Sequence, residues 1–155
     1  MKALRHWWRA ICWAALIYFF STGTFNAYET ANVIIPILQR LFPDWTPETL
    51  YQIHFLIRKT MHLLNYLLLS FFVLDGLRGD ERGWRWVWGR RAVLLCTAYA
   101  ALDELHQSFV PWRGASIMDV FLDSAGACVA QLMVMLWYRR SQLGSQRSDE
   151  TKAAG

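Results

Sequence analysis

The sequence predicts an all-α fold, an integral membrane bundle of four transmembrane helices, and three observations predict it. First, the 155 residues are 55% hydrophobic and 15% aromatic, with nine tryptophans, and only 18% are charged; this balance is too apolar for a soluble domain of the same length. Second, the apolar residues gather in four stretches, about 10–28, 59–77, 87–105 and 116–138, each near the roughly 20 residues a helix needs to cross about 30 Å of hydrocarbon. Third, lysine and arginine alternate between connections as the positive-inside rule requires.

Taken in order, the first stretch follows Lys2, Arg5 and Arg9 and has the look of a secretory leader. Phe25, three residues before any cut after Ala27, is not the small residue such a site needs, so an uncleaved first helix is expected. The connection from Glu29 to Arg58 mixes Val33, Ile34, Ile35, Ile37 and Leu38 with Asn32, Gln39 and Arg40, as an interfacial segment does. Pro36 would kink a helix there, and Pro43-Asp44-Trp45 marks a break whose tryptophan suits the headgroup zone. Thr46-Pro47-Glu48 then supplies a cap, a first-position proline and a first-turn acid, so the second span is expected to begin outside the bilayer.

The loop over 75–91 carries Arg78, Arg82, Arg85, Arg90 and Arg91 among glycines, with Trp84, Trp86 and Trp88 alternating, and reads as an anchor on anionic lipid headgroups. Residues 1–140 form one membrane domain, and the polar, small-residue run 141–155 is expected to be a disordered cytoplasmic tail. The N-terminal arm, the 75–91 loop and the tail hold most of the cations, whereas the two other connections hold Glu29, Asp44, Glu48, Asp103 and Glu104. Both termini of a multi-pass membrane protein are therefore expected in the cytoplasm. The net charge of +4 is accounted for by this topology, with membrane lipids as partners and no nucleic acid. Cys12, Cys96 and Cys128 all fall within apolar stretches, an odd and buried set that argues against a disulfide framework.

The chemistry is concentrated in a few residues. Lys59, His62 and Tyr66 are three and four apart and share one face of the second span. Asp103 and Gln107 lie one turn apart at the end of the third, beside Glu104 and His106; Asp119 and Asp123 lie one turn apart at the start of the fourth, after Ser116. Ionisable groups near a hydrocarbon slab each cost from about 2 to well over 10 kcal/mol, so such a cluster is either mutually paired or functional. Gly126, Ala127 and Ala130 let the helices approach and draw the acidic faces together. Lys59 and Arg113 serve as counter-charges, and the guanidinium fork of Arg113 suits phosphate or carboxylate. An outward site for an anionic or sugar-phosphate group of a lipid-linked molecule fits these parts.

Three alternatives compete. A salt-bridged structural core would use the same charges to fix helix register. An enzyme would use Asp103 or Glu104 as general base with His62 as proton partner. A metal would draw on His62, His106, Asp103, Glu104 or Asp119, but no HExxH or comparable spacing is present, so no metal and no cofactor is expected. Ser108 and Ser116 lie near His106 without a GxSxG elbow, which leaves nucleophilic catalysis without a motif.

The series Lys59-x-x-His62-x-x-x-Tyr66, then Asp103-Glu104-x-x-Gln107-x-Phe109-x-Pro111-x-Arg113-x-x-Ser116-x-x-Asp119 and Gly126, resembles the VanZ-like family of small bacterial membrane proteins over about half the chain. Two positions depart from it: Trp112 stands where the family commonly has glycine, and Asp123 where it commonly has asparagine. The resemblance implies a multi-span membrane protein whose founding relative is linked to low-level teicoplanin resistance. It places ligand-binding residues at Lys59, His62, Tyr66, Asp103, Glu104, Gln107, Arg113, Ser116 and Asp119. A lipid-linked cell-wall precursor or the glycopeptide itself is the partner it suggests, met at the outer leaflet.

Overall fold

Five α-helices and no strand make up the described residues of the computed structural model, which are 2–22, 26–110 and 114–153. They are α1 (Lys2–Ser21), α2 (Ala27–Leu41), α3 (Pro47–Arg78), α4 (Trp86–Ser108) and α5 (Ile117–Ala153). The helix starts follow local chemistry. The Asn26 side chain accepts from the Glu29 N–H at 2.8 Å to cap α2, and Thr46 accepts from the Thr49 N–H at 3.3 Å to cap α3, whose first residue is Pro47. At its far end α3 stops at Gly79, whose φ of 61° is the left-handed conformation that glycine enters without a Cβ penalty.

Several expectations are corrected. The first apolar stretch is not one helix over 10–28: α1 ends at Ser21, where Thr22 turns its N–H and hydroxyl back onto the Phe19 carbonyl, and Asn26 caps a new helix. Serine, threonine and asparagine all offer side-chain bonds that compete with helix continuation. The segment expected at the interface is α2, which runs through Pro36 and buries none of its residues. The expected disordered tail is a continuation of α5 to Ala153, because the residues after Arg140 hold no proline and an established helix extends far more easily than it starts. Of the cysteines, only Cys96 is buried; Cys12 and Cys128 lie on exposed faces, and none forms a disulfide.

Two helical segments, Pro47–Arg78 and Ile117–Gly144, are long and apolar enough to cross a membrane. The other two expected spans do not meet that measure, since α1 begins with Arg5, His6 and Arg9, and α4 carries Arg90 and Arg91 near one end and Asp103 and Glu104 near the other.

Helix α3 is the axis of the assembly and packs against each of the other four helices, most extensively against α5. The reason lies in small residues. A Cβ at Gly126 would sit 2.3 Å from the Leu63 carbonyl oxygen, so α5 lies against the backbone of α3 at a distance that no larger residue permits. Ala92, Cys96, Ala100 and Ala127 are fully buried, as are the neighbouring Tyr66 and Leu69. Polar side chains bridge the helices inside this core. Gln131 Nε2 donates to the Ser70 carbonyl at 3.1 Å and its hydroxyl at 2.8 Å, Ser70 Oγ donates to the Ala127 carbonyl at 3.1 Å, and Thr97 Oγ1 donates to Ser124 Oγ at 2.9 Å. Helix α1 is tied in by Trp13 Nε1 donating to the Asn65 carbonyl at 3.0 Å and by Tyr99 donating to the Ala14 carbonyl at 2.6 Å.

The two ends of the bundle differ in charge. At one end Arg5 meets Asp80 at 2.8 Å, Arg9 meets Asp75 at 3.2 Å, and Tyr138 lies against Gly83, so the N-terminal arm, the α3–α4 loop and the later part of α5 gather together. The other end holds the acidic cluster. Replacing Gly126 by alanine is expected to lower unfolding stability in detergent by about 1–3 kcal/mol through overpacking. Gly144→Ala, with nothing within 4 Å of the new methyl, is expected to leave the melting temperature unchanged.

Candidate functional site

The site is built where α3, α4 and α5 converge. Helical spacing puts Lys59, His62 and Tyr66 on the face of α3 that meets α5. Lys59 Nζ forms an ion pair with Asp119 Oδ1 across that contact and also lies 5.2 Å from the centre of the Phe55 ring. One turn along both helices, His62 Nδ1 lies 3.4 Å from Asp123 Oδ1. Tyr66, a turn deeper, is buried with 1% exposure, and its hydroxyl has no hydrogen-bond partner among the described residues.

Helix α4 contributes the other acids. Asp103 Oδ2 accepts from Gln107 Nε2 at 2.8 Å, and the same amide lies 3.4 Å from Ser21 Oγ on α1. Glu104 Oε2 accepts from the Ser116 N–H at 2.7 Å, while the Ser116 carbonyl accepts from the Asp119 N–H at 2.8 Å. Glu104 thereby fixes the entry of α5. Each of these carboxylates keeps one buried oxygen without a donor, Asp103 Oδ1 and Glu104 Oε1, and on Asp123 both oxygens are so placed.

The structure brings together eight of the nine expected ligand-binding residues, with Tyr66 at the base. The ninth, Arg113, lies outside the described residues. His106 turns away, its ring 4.9 Å from that of Tyr18 on α1. Among the candidates for proton transfer, the acid nearest to His62 is Asp123 rather than Asp103 or Glu104, and Asp123 joins the set as its most buried member. Its position four residues after Asp119 was the sequence signal for it. Arg58 also belongs to the site, donating to Thr30 Oγ1 at 3.0 Å and so linking α3 to α2; the signal was its spacing of four from His62. Thr30 Oγ1 in turn lies 3.2 Å from His54 Nε2.

Two cavities open on this region. One, of about 210 Å³, is bordered by Arg58, Lys59, His62, Gln107, Ser116 and Asp119. Its neighbour, of about 220 Å³, is bordered by Phe20, Ile34, Ile57 and Met61 and shares Arg58 and His62 with the first. A polar chamber and an apolar one thus meet at a guanidinium and an imidazole. A third hollow, of about 590 Å³, lies between α4 and α5 among Trp84, Trp86, Val93, Leu94 and Leu132, away from the acids.

Because Lys59 and Asp119 are both largely withdrawn from solvent, removing either partner alone leaves an uncompensated charge. A cycle of Lys59→Met, Asp119→Leu and the double variant, read by unfolding in detergent, is expected to give a coupling energy of about 1–3 kcal/mol, with the double variant more stable than the additive sum.

Comparison with curated proteins and with solved structures finds no match. The sequence model of the VanZ/LLP1 family, however, matches residues 7–138, which covers most of α1, all of α2 to α4, the linking segments and most of α5, including every residue of the site. The chain belongs to the VanZ/LLP1 family.

Proposed function

We propose that this VanZ/LLP1-family chain is a four-span protein of the bacterial cell envelope whose outward polar site binds an anionic lipid-linked or wall-precursor group and thereby modulates glycopeptide susceptibility, teicoplanin being the drug the resemblance suggests. The observation that carries the binding reading is the junction of the two cavities at Arg58 and His62. A ligand with a charged head and a hydrocarbon tail needs both chambers side by side, and Arg58 offers the head a fork of charge-assisted donors. Arg113 is the second cation of this reading.

The four-span arrangement is supported by the outer surfaces of the helices that fail the simple span test. Ile11, Phe19 and Phe20 on α1 and Leu94, Leu95 and Leu102 on α4 are all exposed, and apolar surface on this scale is unfavourable in water. The gathering of the basic segments at one end supports a cytoplasmic placement of both termini and an outward placement of the site. An enzyme using Asp103, Glu104 and His62 on the same ligand class is the second reading, favoured by the orphaned carboxylate oxygens beside the polar chamber.

Binding is tested by titrating the purified protein in nanodiscs with a polyprenyl phosphate and with the corresponding uncharged alcohol. The phosphate is expected to bind and the alcohol to bind at least tenfold more weakly; Arg58→Gln should reduce phosphate affinity by about 10- to 100-fold, the worth of one charge-assisted contact. Equal affinity for phosphate and alcohol would overturn the reading. In a bacterial host, teicoplanin tolerance conferred by the wild type should be lost in Arg113→Ala at equal membrane abundance. Loss in Asp103→Asn or Glu104→Gln with phosphate binding intact would instead favour the enzyme.

A further inference from the structure

We propose that His62, Glu104 and Asp123 form a three-ligand site for a divalent transition-metal ion of the zinc type, at the edge of the polar chamber that His62 borders. Each residue offers one donor atom, and the three atoms lie within 4.8 Å of one another, drawn from three different helices. Donors bonded to zinc at about 2.0–2.2 Å in tetrahedral array stand roughly 3.4 Å apart. The separation of His62 Nδ1 from Asp123 Oδ1 is 3.4 Å. That is too long for a charge-assisted hydrogen bond, which closes to about 2.7–2.9 Å, but it is the span two ligands of one ion keep.

A second observation points to a ligand independently of this spacing. Asp123 has 0% exposure, and neither of its oxygens receives a hydrogen bond among the described residues. Glu104, 4% exposed, is held through Oε2 by the Ser116 N–H, which leaves Oε1 buried and without a hydrogen bond among the described residues. Buried polar atoms are paired in nearly all folded proteins, and charged ones especially so. One dication would take one oxygen from each of these two carboxylates and offset the charge that Asp103 adds nearby.

The donor chemistry selects the class of ion. Calcium and magnesium prefer shells built wholly of oxygen, whereas an imidazole with two carboxylates suits zinc and its neighbours. Three protein ligands leave a fourth position open, the pattern of a site that receives water or an anionic oxygen. His62 borders the 210 Å³ chamber, so the open position would face it. The Ser116 amide acts as the outer partner that orients Glu104, as such partners do around bound metals.

The inference goes beyond lipid binding and stands without it, because its test contains no lipid. Tag-free protein in detergent is stripped with a chelator, reloaded with Zn²⁺, exchanged into metal-free buffer and measured by elemental analysis and by competition titration. The expected result is one zinc per chain, with affinity lowered more than about 100-fold by His62→Gln and by Asp123→Asn, a larger loss than outer partners of a metal give. Glu104→Gln, which keeps an oxygen for the Ser116 amide, should also lose zinc, while Asp44→Asn, on the exposed α2–α3 connection, should retain it. Metal-free melting curves separate loss of a ligand from loss of the fold. Should the variants not fold, cobalt substitution of the wild type decides: intense visible d–d bands of a four-coordinate nitrogen and oxygen site support the proposal, and the spectrum of aqueous cobalt overturns it. Zinc at less than about 0.1 per chain in the wild type, or wild-type affinity in both His62→Gln and Asp123→Asn, would also overturn it.

Discussion

The contact between α3 and α5 at Gly126 is the constraint on which the rest of the molecule depends. With the Leu63 carbonyl oxygen only 2.3 Å from where a Cβ would stand, the two helices run close enough for short side chains to span them. Asp119 can then reach Lys59, and Asp123 can reach His62, although an aspartate extends only two bonds beyond its Cβ. A larger residue at 126 would separate the helices, and the same acids would face an empty seam. Close approach and paired charge are two consequences of one missing side chain.

Inside a lipid bilayer, the hydrophobic effect gives little reason for one apolar helix to prefer another over lipid, so packing and interhelical hydrogen bonds carry the association. The molecule is built accordingly. Gln131, Ser70, Thr97 and Ser124 form cross-helix bonds within the core, Trp13 of α1 donates to a main-chain carbonyl of α3, and Tyr99 of α4 donates to one of α1. The buried surface is made of alanine, glycine and cysteine at the tightest points, while leucine, phenylalanine and tryptophan crowd the exterior.

Charge is arranged along the bundle axis. The basic end neutralises itself by exposed pairs such as Arg5 with Asp80, which contribute little to stability in water. At the other end four acids with 9% exposure or less meet the cations of α3. Lys59 satisfies Asp119, Gln107 satisfies half of Asp103, and the backbone at Ser116 satisfies half of Glu104. Among the described residues Asp103 Oδ1, Glu104 Oε1 and both oxygens of Asp123 receive no hydrogen bond, so helix packing leaves bonding capacity unmet at this end.

The sequence by itself determined much of this. Thr46-Pro47-Glu48 announced the start of α3 well before its apolar run, because a cap, a first-position proline and a first-turn acid act within one turn. The spacings of Lys59, His62 and Tyr66, of Asp103 and Gln107, and of Asp119 and Asp123 placed each group on one helical face, and Gly126 with Ala127 marked where two helices meet. Such statements depend only on 3.6 residues per turn and on side-chain size. The interruption between α1 and α2 was read over, although Ser21, Thr22 and Asn26 already break the apolar run of 10–28; Thr22 turns back onto Phe19 at the end of α1, and Asn26 caps α2. The bond of Arg58 to Thr30, the contact of His62 with Asp123 rather than with Asp103 or Glu104, and the turning of His106 toward Tyr18 were decided by tertiary structure alone. Periodicity gives a residue its angle about its own helix; which neighbour it meets depends on the rotation and offset of another helix, and those are set by packing across the whole interface.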